Sequence, residues 1–125
     1  MESTRNEFGD VIYKSKNKEG QCLTLVVQKE LYGKTIHWYV VFWVGKRNKG
    51  FQYLKQTGKD GISSLLWAKE CIIDFLNIVK RTENPQYLCI GWDDTRRKKV
   101  YLYGLKDLGF EVRKIENKLC LCKIF

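Results

Sequence analysis

The chain has 125 residues, of which 44% are hydrophobic and 30% charged, and its formal net charge is +9. These values suit one globular domain spanning residues 1–125 and exclude a low-complexity chain. No apolar run approaches the roughly 20 residues that span a bilayer. Residues 1–7, Met-Glu-Ser-Thr-Arg-Asn-Glu, contain no hydrophobic export signal. We therefore expect a cytoplasmic protein with no membrane partner.

The positive charge predicts an anionic partner such as nucleic acid or a phosphorylated ligand. The basic residues fall into separate clusters at Lys14–Lys18, Lys46–Lys49 and Arg96–Lys99. This scatter weakens the case for one binding groove. A solvated, lysine-rich surface is the alternative interpretation.

The five cysteines, with no export signal, predict reduced and mostly buried thiols. They are Cys22, Cys71, Cys89, Cys120 and Cys122. Cys120 and Cys122 form a C-x-C pair, and His37 is the only histidine. Two thiolates and a distant imidazole do not make a zinc site, so no metal cofactor is predicted.

Three strands are predicted before the first helix. Residues 11–16 resemble a short edge strand, and residues 22–29 alternate, with Leu23, Leu25 and Val27 on one face. Residues 35–44 are dense in β-branched and aromatic side chains. Both faces of this third strand are largely apolar, which predicts a central position in the sheet.

A helix capped by Thr57 or Asp60 is predicted to run to about Lys80. Its buried stripe is predicted as Ile62, Leu65, Leu66, Ile72, Ile73, Leu76 and Val79. The apolar run at 87–90 follows Pro85 and predicts a buried strand parallel to the central one.

A second helix is predicted to follow residues 91–94 and to end at Gly109, its C-cap. Residues 110–115 and 118–125 then predict a hairpin across 116–117. The predicted fold is therefore α+β (mixed α/β): a central, mostly antiparallel sheet with two helices, in the chain order βββ-α-β-α-ββ.

This order resembles the GNAT-type acetyltransferase superfamily over roughly residues 35–125. The segment Gln56-Thr-Gly-Lys-Asp-Gly-Ile-Ser-Ser-Leu-Leu matches the family's glycine-containing turn before a helix, with the first glycine shifted by one residue. Residues 87–91 lie where the family places its next strand. Residues 105–111, Leu-Lys-Asp-Leu-Gly-Phe-Glu, have the shape of its Tyr-x-x-x-Gly-Phe ending.

The resemblance implies an N-acetyltransferase that binds acetyl-CoA and an amine acceptor. It places the pyrophosphate on helix N-terminal amides and the pantetheine arm beside the strand at 87–91. The implied cofactor-binding residues are Gln56, Gly58, Lys59, Gly61, Ile62, Ser63, Cys89, Ile90 and Arg96. The family's general-acid tyrosine falls at Leu105, which cannot donate a proton, and Tyr101 lies one helical turn earlier as the candidate catalytic residue.

Each candidate has a structural alternative. The turn at 58–63 is either a phosphate cradle or an N-capped helix start, and Arg96 either contacts an anion or lies on a solvated face. Asp93, Asp94 and Glu70 are candidate bases or simple surface residues. Four tryptophans either pack in the core or stack nucleic-acid bases. The alternative function is therefore a non-enzymatic basic module that binds nucleic acid or a protein.

Overall fold

The computed structural model describes residues 1–45, 61–91, 95–115 and 117–125. The strands are β1 (Thr4–Arg5), β2 (Val11–Lys16), β3 (Cys22–Tyr32), β4 (Thr35–Val44), β5 (Gln86–Ile90), β6 (Glu111–Ile115) and β7 (Lys118–Ile124). The helices are α1 (Gly61–Ile78) and α2 (Thr95–Leu105), and a 3-10 helix at Lys106–Leu108 follows α2. The predicted mixed α+β class, with a mostly antiparallel sheet and two helices, is confirmed.

The seven strands form one sheet in the order β1-β2-β3-β4-β5-β7-β6. The predicted chain order was wrong at its start, because a strand at Thr4–Arg5 precedes the expected three. This short strand pairs antiparallel with β2. Its polar sequence has no apolar alternation, so no periodic signal marks it. The intervening turn positions it, since Asn6 Oδ1 accepts hydrogen bonds from the backbone N–H groups of Phe8 and Asp10.

The described residues group into two compact units. The first consists of residues 1–27 and 41–79. In it β2 pairs antiparallel with β3, and both strands turn one apolar face inward. Val11, Tyr13, Leu25 and Val27 are buried there. The predicted inward face of residues 22–29 is thereby confirmed.

Helix α1 buries a stripe that agrees with the predicted one only in part. The buried positions are Ser64, Ala68, Cys71, Ile72 and Phe75, which recur at helical spacing. Of the predicted stripe, Ile72 is buried, and Leu65 and Leu76 are half-buried. Leu66, at 58% exposure, and Ile73 are exposed. Both follow a buried residue by two positions, which places them about 200° around the helix. Apolar character alone misassigned them, because the polar Ser64 and the small Ala68 occupy the packed face.

The second unit consists of residues 28–40 and 80–125. In it β5 runs parallel to β4 and antiparallel to β7. Leu88, Cys89 and Ile90 are buried, so the predicted buried, parallel strand is confirmed. The hairpin is also confirmed: β6 pairs with β7 up to Ile115 and Lys118, and Asn117 in the turn has φ 67°.

Gly109 ends the segment after α2, as predicted. Its φ is 87°, in the left-handed region, and its N–H donates to the carbonyl of Lys106. Next to this turn, Lys123 Nζ of β7 donates to the carbonyl of Leu108 at 2.6 Å. The next residue, Phe110, is buried. The Gly-Phe pair therefore closes the 3-10 helix and anchors the chain before β6.

None of the helices in the described ranges is long and apolar enough to cross a bilayer.

Candidate functional site

The first helix turn holds part of the predicted phosphate cradle. Gln56, Gly58 and Lys59 lie outside the described residues. The backbones of Gly61 and Ile62 begin α1, and Ser63 is exposed in the same turn. The first turn of α1 contains no acidic residue. Amides at this end of a helix carry partial positive charge, so this turn can accept an anion.

Helix α2 begins with a run of positive charge. Its sequence opens Thr-Arg-Arg-Lys-Lys, with no acidic residue in the first turn. Arg96 lies in this turn, and its side chain lies outside the described part of the chain. Cations at a helix N-terminus oppose the helix dipole by about 0.3–1 kcal/mol each. A bound anion would relieve this repulsion.

The parallel ladder between β4 and β5 ends before β4 itself ends and before the ladder between β5 and β7 ends. It pairs Ile36–Tyr39 with Gln86–Cys89, whereas β4 continues to Val44. Gln86 exchanges two backbone hydrogen bonds with Phe125, on the β7 side. Because strand residues alternate in direction, the backbone groups of residues 87 and 89 point to the β4 side. Gly91 follows the last residue of β5 and lies past the last ladder pair in the chain.

Gly91 offers an approachable backbone at this point. The residue is exposed, and no described heavy atom lies within 4 Å of the position where a Cβ would sit. Its φ is outside the left-handed region, so local conformation does not require glycine. An extended ligand that carries amide groups could hydrogen-bond here as an added strand would.

Cys89 and Ile90, both predicted to bind the cofactor, are buried. Their side chains pack inside the second unit and are not presented to a ligand. Only backbone groups near them could make such contacts. The strand end at residues 87–91 stays a prediction as the place of the pantetheine arm, and Gly91 is its exposed residue.

The candidate proton donor, Tyr101, is half-buried on α2. Two residues later, Tyr103 is 80% exposed, and the ammonium of Lys106 lies 5.8 Å from the centre of its ring. Leu105 is buried. The position that the resemblance assigns to the general acid is thus in the core, and Tyr101 is only partly exposed. Of the candidate bases, Glu70 is exposed, while Asp93 and Asp94 lie outside the described residues.

A hydrogen-bonded glutamine joins the strands that carry this site. Trp38 Nε1 donates to Gln86 Oε1 at 2.7 Å, and Gln86 Nε2 donates to the carbonyl of Lys80 at 2.8 Å. Gln86 is 1% exposed. Its amide therefore fixes the register of β4 against β5 from inside the core.

An aromatic row lies on one face of the second unit. The ring of His37 lies 4.7 Å from that of Tyr32, 4.8 Å from Tyr87 and 6.3 Å from Tyr39, measured between centroids. Tyr32 is exposed and the other three rings are half-buried. Nδ1 of His37 is buried and has no hydrogen-bond partner among the described residues.

Three thiols meet on the same face as Tyr39 and Tyr87. Cys89, Cys120 and Cys122 form a buried cluster, and the Cys89 thiol donates to Cys122 Sγ at 3.7 Å. The sequence showed the C-x-C pair but could not show that Cys89, 33 residues away from Cys122, lies opposite it. Within the described ranges, no group of three or more His, Cys, Asp or Glu side chains is arranged to hold a metal ion.

No protein-family model, curated protein or solved structure matches this chain.

Proposed function

We propose that this chain is a GNAT-like domain that binds an acyl-CoA and transfers its acyl group to an amine. The observation that carries the proposal is the end of the β4–β5 ladder. Gly91, which is exposed, follows the end of this ladder in the chain. A pantetheine arm carries two secondary amides, which suit hydrogen bonding along a strand edge.

Both helices that follow the parallel strands support an anionic ligand. α1 comes after β4 and α2 after β5, and neither has an acidic residue in its first turn. In open sheets, ligands bind beyond the carboxyl ends of parallel strands, where helix N-termini hold phosphate groups. The proposal assigns the pyrophosphate to the turn at 56–63, as the resemblance implies.

The residues of this chain would bind and orient the acyl-CoA rather than form a covalent bond with it. When bound, the acyl-CoA supplies an acyl group activated as a thioester. The amides at the start of α1 would neutralise phosphate charge, and the backbone at Gly91 would align the arm. Tyr101 is the proposed proton donor to the departing thiolate.

Thermal denaturation with and without 1 mM acetyl-CoA tests the proposal. A ligand that binds only the folded state stabilises it by RT ln(1 + [L]/Kd). We expect acetyl-CoA to raise the Tm of the wild-type protein. This increase should disappear in Gly61→Pro, which removes an N–H at the helix start, and should be smaller in Gly91→Val. Gly104→Ala is the matched control, because a Cβ there also meets no described atom within 4 Å. An unchanged Tm at millimolar acetyl-CoA would refute the proposal.

The aromatic row favours one alternative, a module that binds single-stranded nucleic acid. Nucleobases stack on partly exposed aromatic rings, and the charge of +9 would attract the phosphates. In fluorescence anisotropy with a labelled oligonucleotide, Tyr32→Ala would then weaken binding, while the exposed Tyr103→Ala on α2 would not. Affinity that falls steeply between 50 and 200 mM salt would support this function. No binding at 50 mM salt would exclude it.

A further inference from the structure

The three thiols of the second unit are arranged as a reactive group and not only as core packing. Cys89 lies on β5 and Cys122 directly opposite on β7. Cys120 lies two residues from Cys122, so both project from the same face of β7. All three are buried together, with Tyr39, Tyr87 and Ile115 packed around them.

The register between β5 and β7 makes Cys89 and Cys122 a non-hydrogen-bonded antiparallel pair, the kind with the shorter Cα–Cα distance. Gln86 and Phe125 exchange both backbone hydrogen bonds. Counting along the antiparallel ladder, the pairs therefore alternate, and Cys89 with Cys122 is a pair without mutual backbone hydrogen bonds. The Cα atoms of such a pair lie about 4.5 Å apart, at the short end of the range that a disulfide spans.

The sulfur atoms need only a small movement to bond. They are 3.7 Å apart, and a disulfide bond is about 2.05 Å long. The proposal requires this approach to come from rotation about χ1 of the two side chains. In contrast, Cys71 is buried in the first unit, and Cys22 is exposed there.

Within the cluster, the pKa values of Cys122 and Cys89 are shifted in opposite directions. The Cys89 thiol, as hydrogen-bond donor, lowers the pKa of Cys122 against the opposing effect of burial, and the charge of Arg113 lowers it further. The hydrogen bonds to Cys120 and Cys122 and then burial raise the pKa of Cys89. Cys122 is therefore more ready than Cys89 to react as a thiolate.

We propose that Cys89 and Cys122 form a reversible disulfide on exposure to a peroxide, covalently linking β5 to β7. The Cys122 thiolate attacks one peroxide oxygen, forming a sulfenic acid and releasing hydroxide. The Cys89 sulfur then attacks the Cys122 sulfur and displaces the hydroxyl. Two thiols and one hydrogen peroxide thereby yield one disulfide and two waters.

This inference does not depend on acyl-CoA binding. The link would hold together the two strands next to the proposed pantetheine site, and its formation is measured without any nucleotide ligand. A failure of the acetyl-CoA titration and a failure of disulfide formation are therefore separate results.

The test uses the full chain carrying Cys22→Ser, so that the exposed thiol cannot form intermolecular links. The folded protein is treated with a small molar excess of hydrogen peroxide, and its intact mass is measured before it is alkylated and digested. We expect the intact mass to fall by 2 Da and the digest to contain a linked peptide joining Cys89 to Cys122. Dithiothreitol should reverse both changes fully. This arm needs no substitution in the core.

Two further substitutions are controls for the pairing. Cys71→Ser, in the other unit, should leave the linked peptide unchanged, and Cys89→Ser should abolish it. An unchanged mass with all thiols still open to alkylation after unfolding would overturn the proposal. So would a link from Cys89 to Cys120 in place of Cys122.

Discussion

At the scale of single residues, Gln86 connects four parts of the second unit. Its side chain bonds Trp38 and the carbonyl of Lys80, and its backbone exchanges hydrogen bonds with Phe125. We expect Gln86→Leu to lower the free energy of unfolding by about 2 kcal/mol, because it removes the buried acceptor of the indole N–H of Trp38. Urea denaturation measures this loss. Asn84→Ala, which removes an exposed bond to Lys34, should cost less than about 0.5 kcal/mol.

Two buried side chains in the first unit, the thiol of Cys71 and the phenol of Tyr13, predict that the stability of the folded state decreases at alkaline pH. Burial, with the nearby carboxylates of Asp74 and Glu70, raises the pKa of Cys71 from 9.0 to about 12. Burial and the hydrogen bond to Asp74 raise the pKa of Tyr13 well above its usual 10.0. Both groups hold their protons more tightly when folded. Their contribution to stability is therefore complete below about pH 9 and is lost as pH rises towards 12 and beyond.

The urea concentration at the midpoint of unfolding should accordingly decrease as the pH is raised from 8.5 to 10.5. Tyr13→Phe should reduce that slope, since the phenol no longer has to ionise on unfolding. The exposed Cys22→Ser is the matched control and should leave the slope unchanged. An equal slope in wild type and Tyr13→Phe would contradict the assignment to Tyr13.

At the scale of elements, two glycines near the end of α2 predict opposite effects of the same substitution. A Cβ on Gly104, within the helix, meets no described atom within 4 Å. We expect Gly104→Ala to stabilise the protein by about 0.5–1 kcal/mol, because alanine has the higher helix propensity. Gly109 has φ 87°, and a Cβ there would lie 2.9 Å from Lys123 Nζ.

Gly109→Ala should therefore destabilise the protein by about 1–2 kcal/mol, through strain in the left-handed region and displacement of the lysine from the Leu108 carbonyl. Thermal denaturation of the two variants measures both signs. A stabilising Gly109→Ala would mean that Lys123 moves at no cost and that the turn relaxes away from the left-handed conformation.

At the scale of the whole molecule, a net charge of +9 makes the folded state repel itself. Raising NaCl from 50 to 500 mM shortens the screening length from about 14 Å to about 4 Å. We expect Tm to rise by a few degrees across this range. Scanning calorimetry measures the change, and a falling Tm would show that attractive ion pairs outweigh the repulsion.

The sequence predicted the features that depend on local periodicity. The alternation of Leu23, Leu25 and Val27 and the glycine cap at Gly109 are both present as predicted. The features it could not predict depend on pairing across the chain. Cys89 meets Cys122 because of the register between β5 and β7. The stripe of α1 was misassigned in part, because Ser64 is buried while Leu66 is not.

The same register has a consequence for how the chain folds. β6 and β7 are neighbours in the chain and pair as an antiparallel hairpin, and such hairpins close in about 1–10 μs. Trp38 and Gln86 are 48 residues apart in sequence, so pairing β4 with β5 requires closing a far longer loop and forming α1 within it. The parallel ladder should accordingly form late on the folding pathway. Because its four pairs include Trp38, the fluorescence of a variant that keeps Trp38 as its one tryptophan would follow that late step.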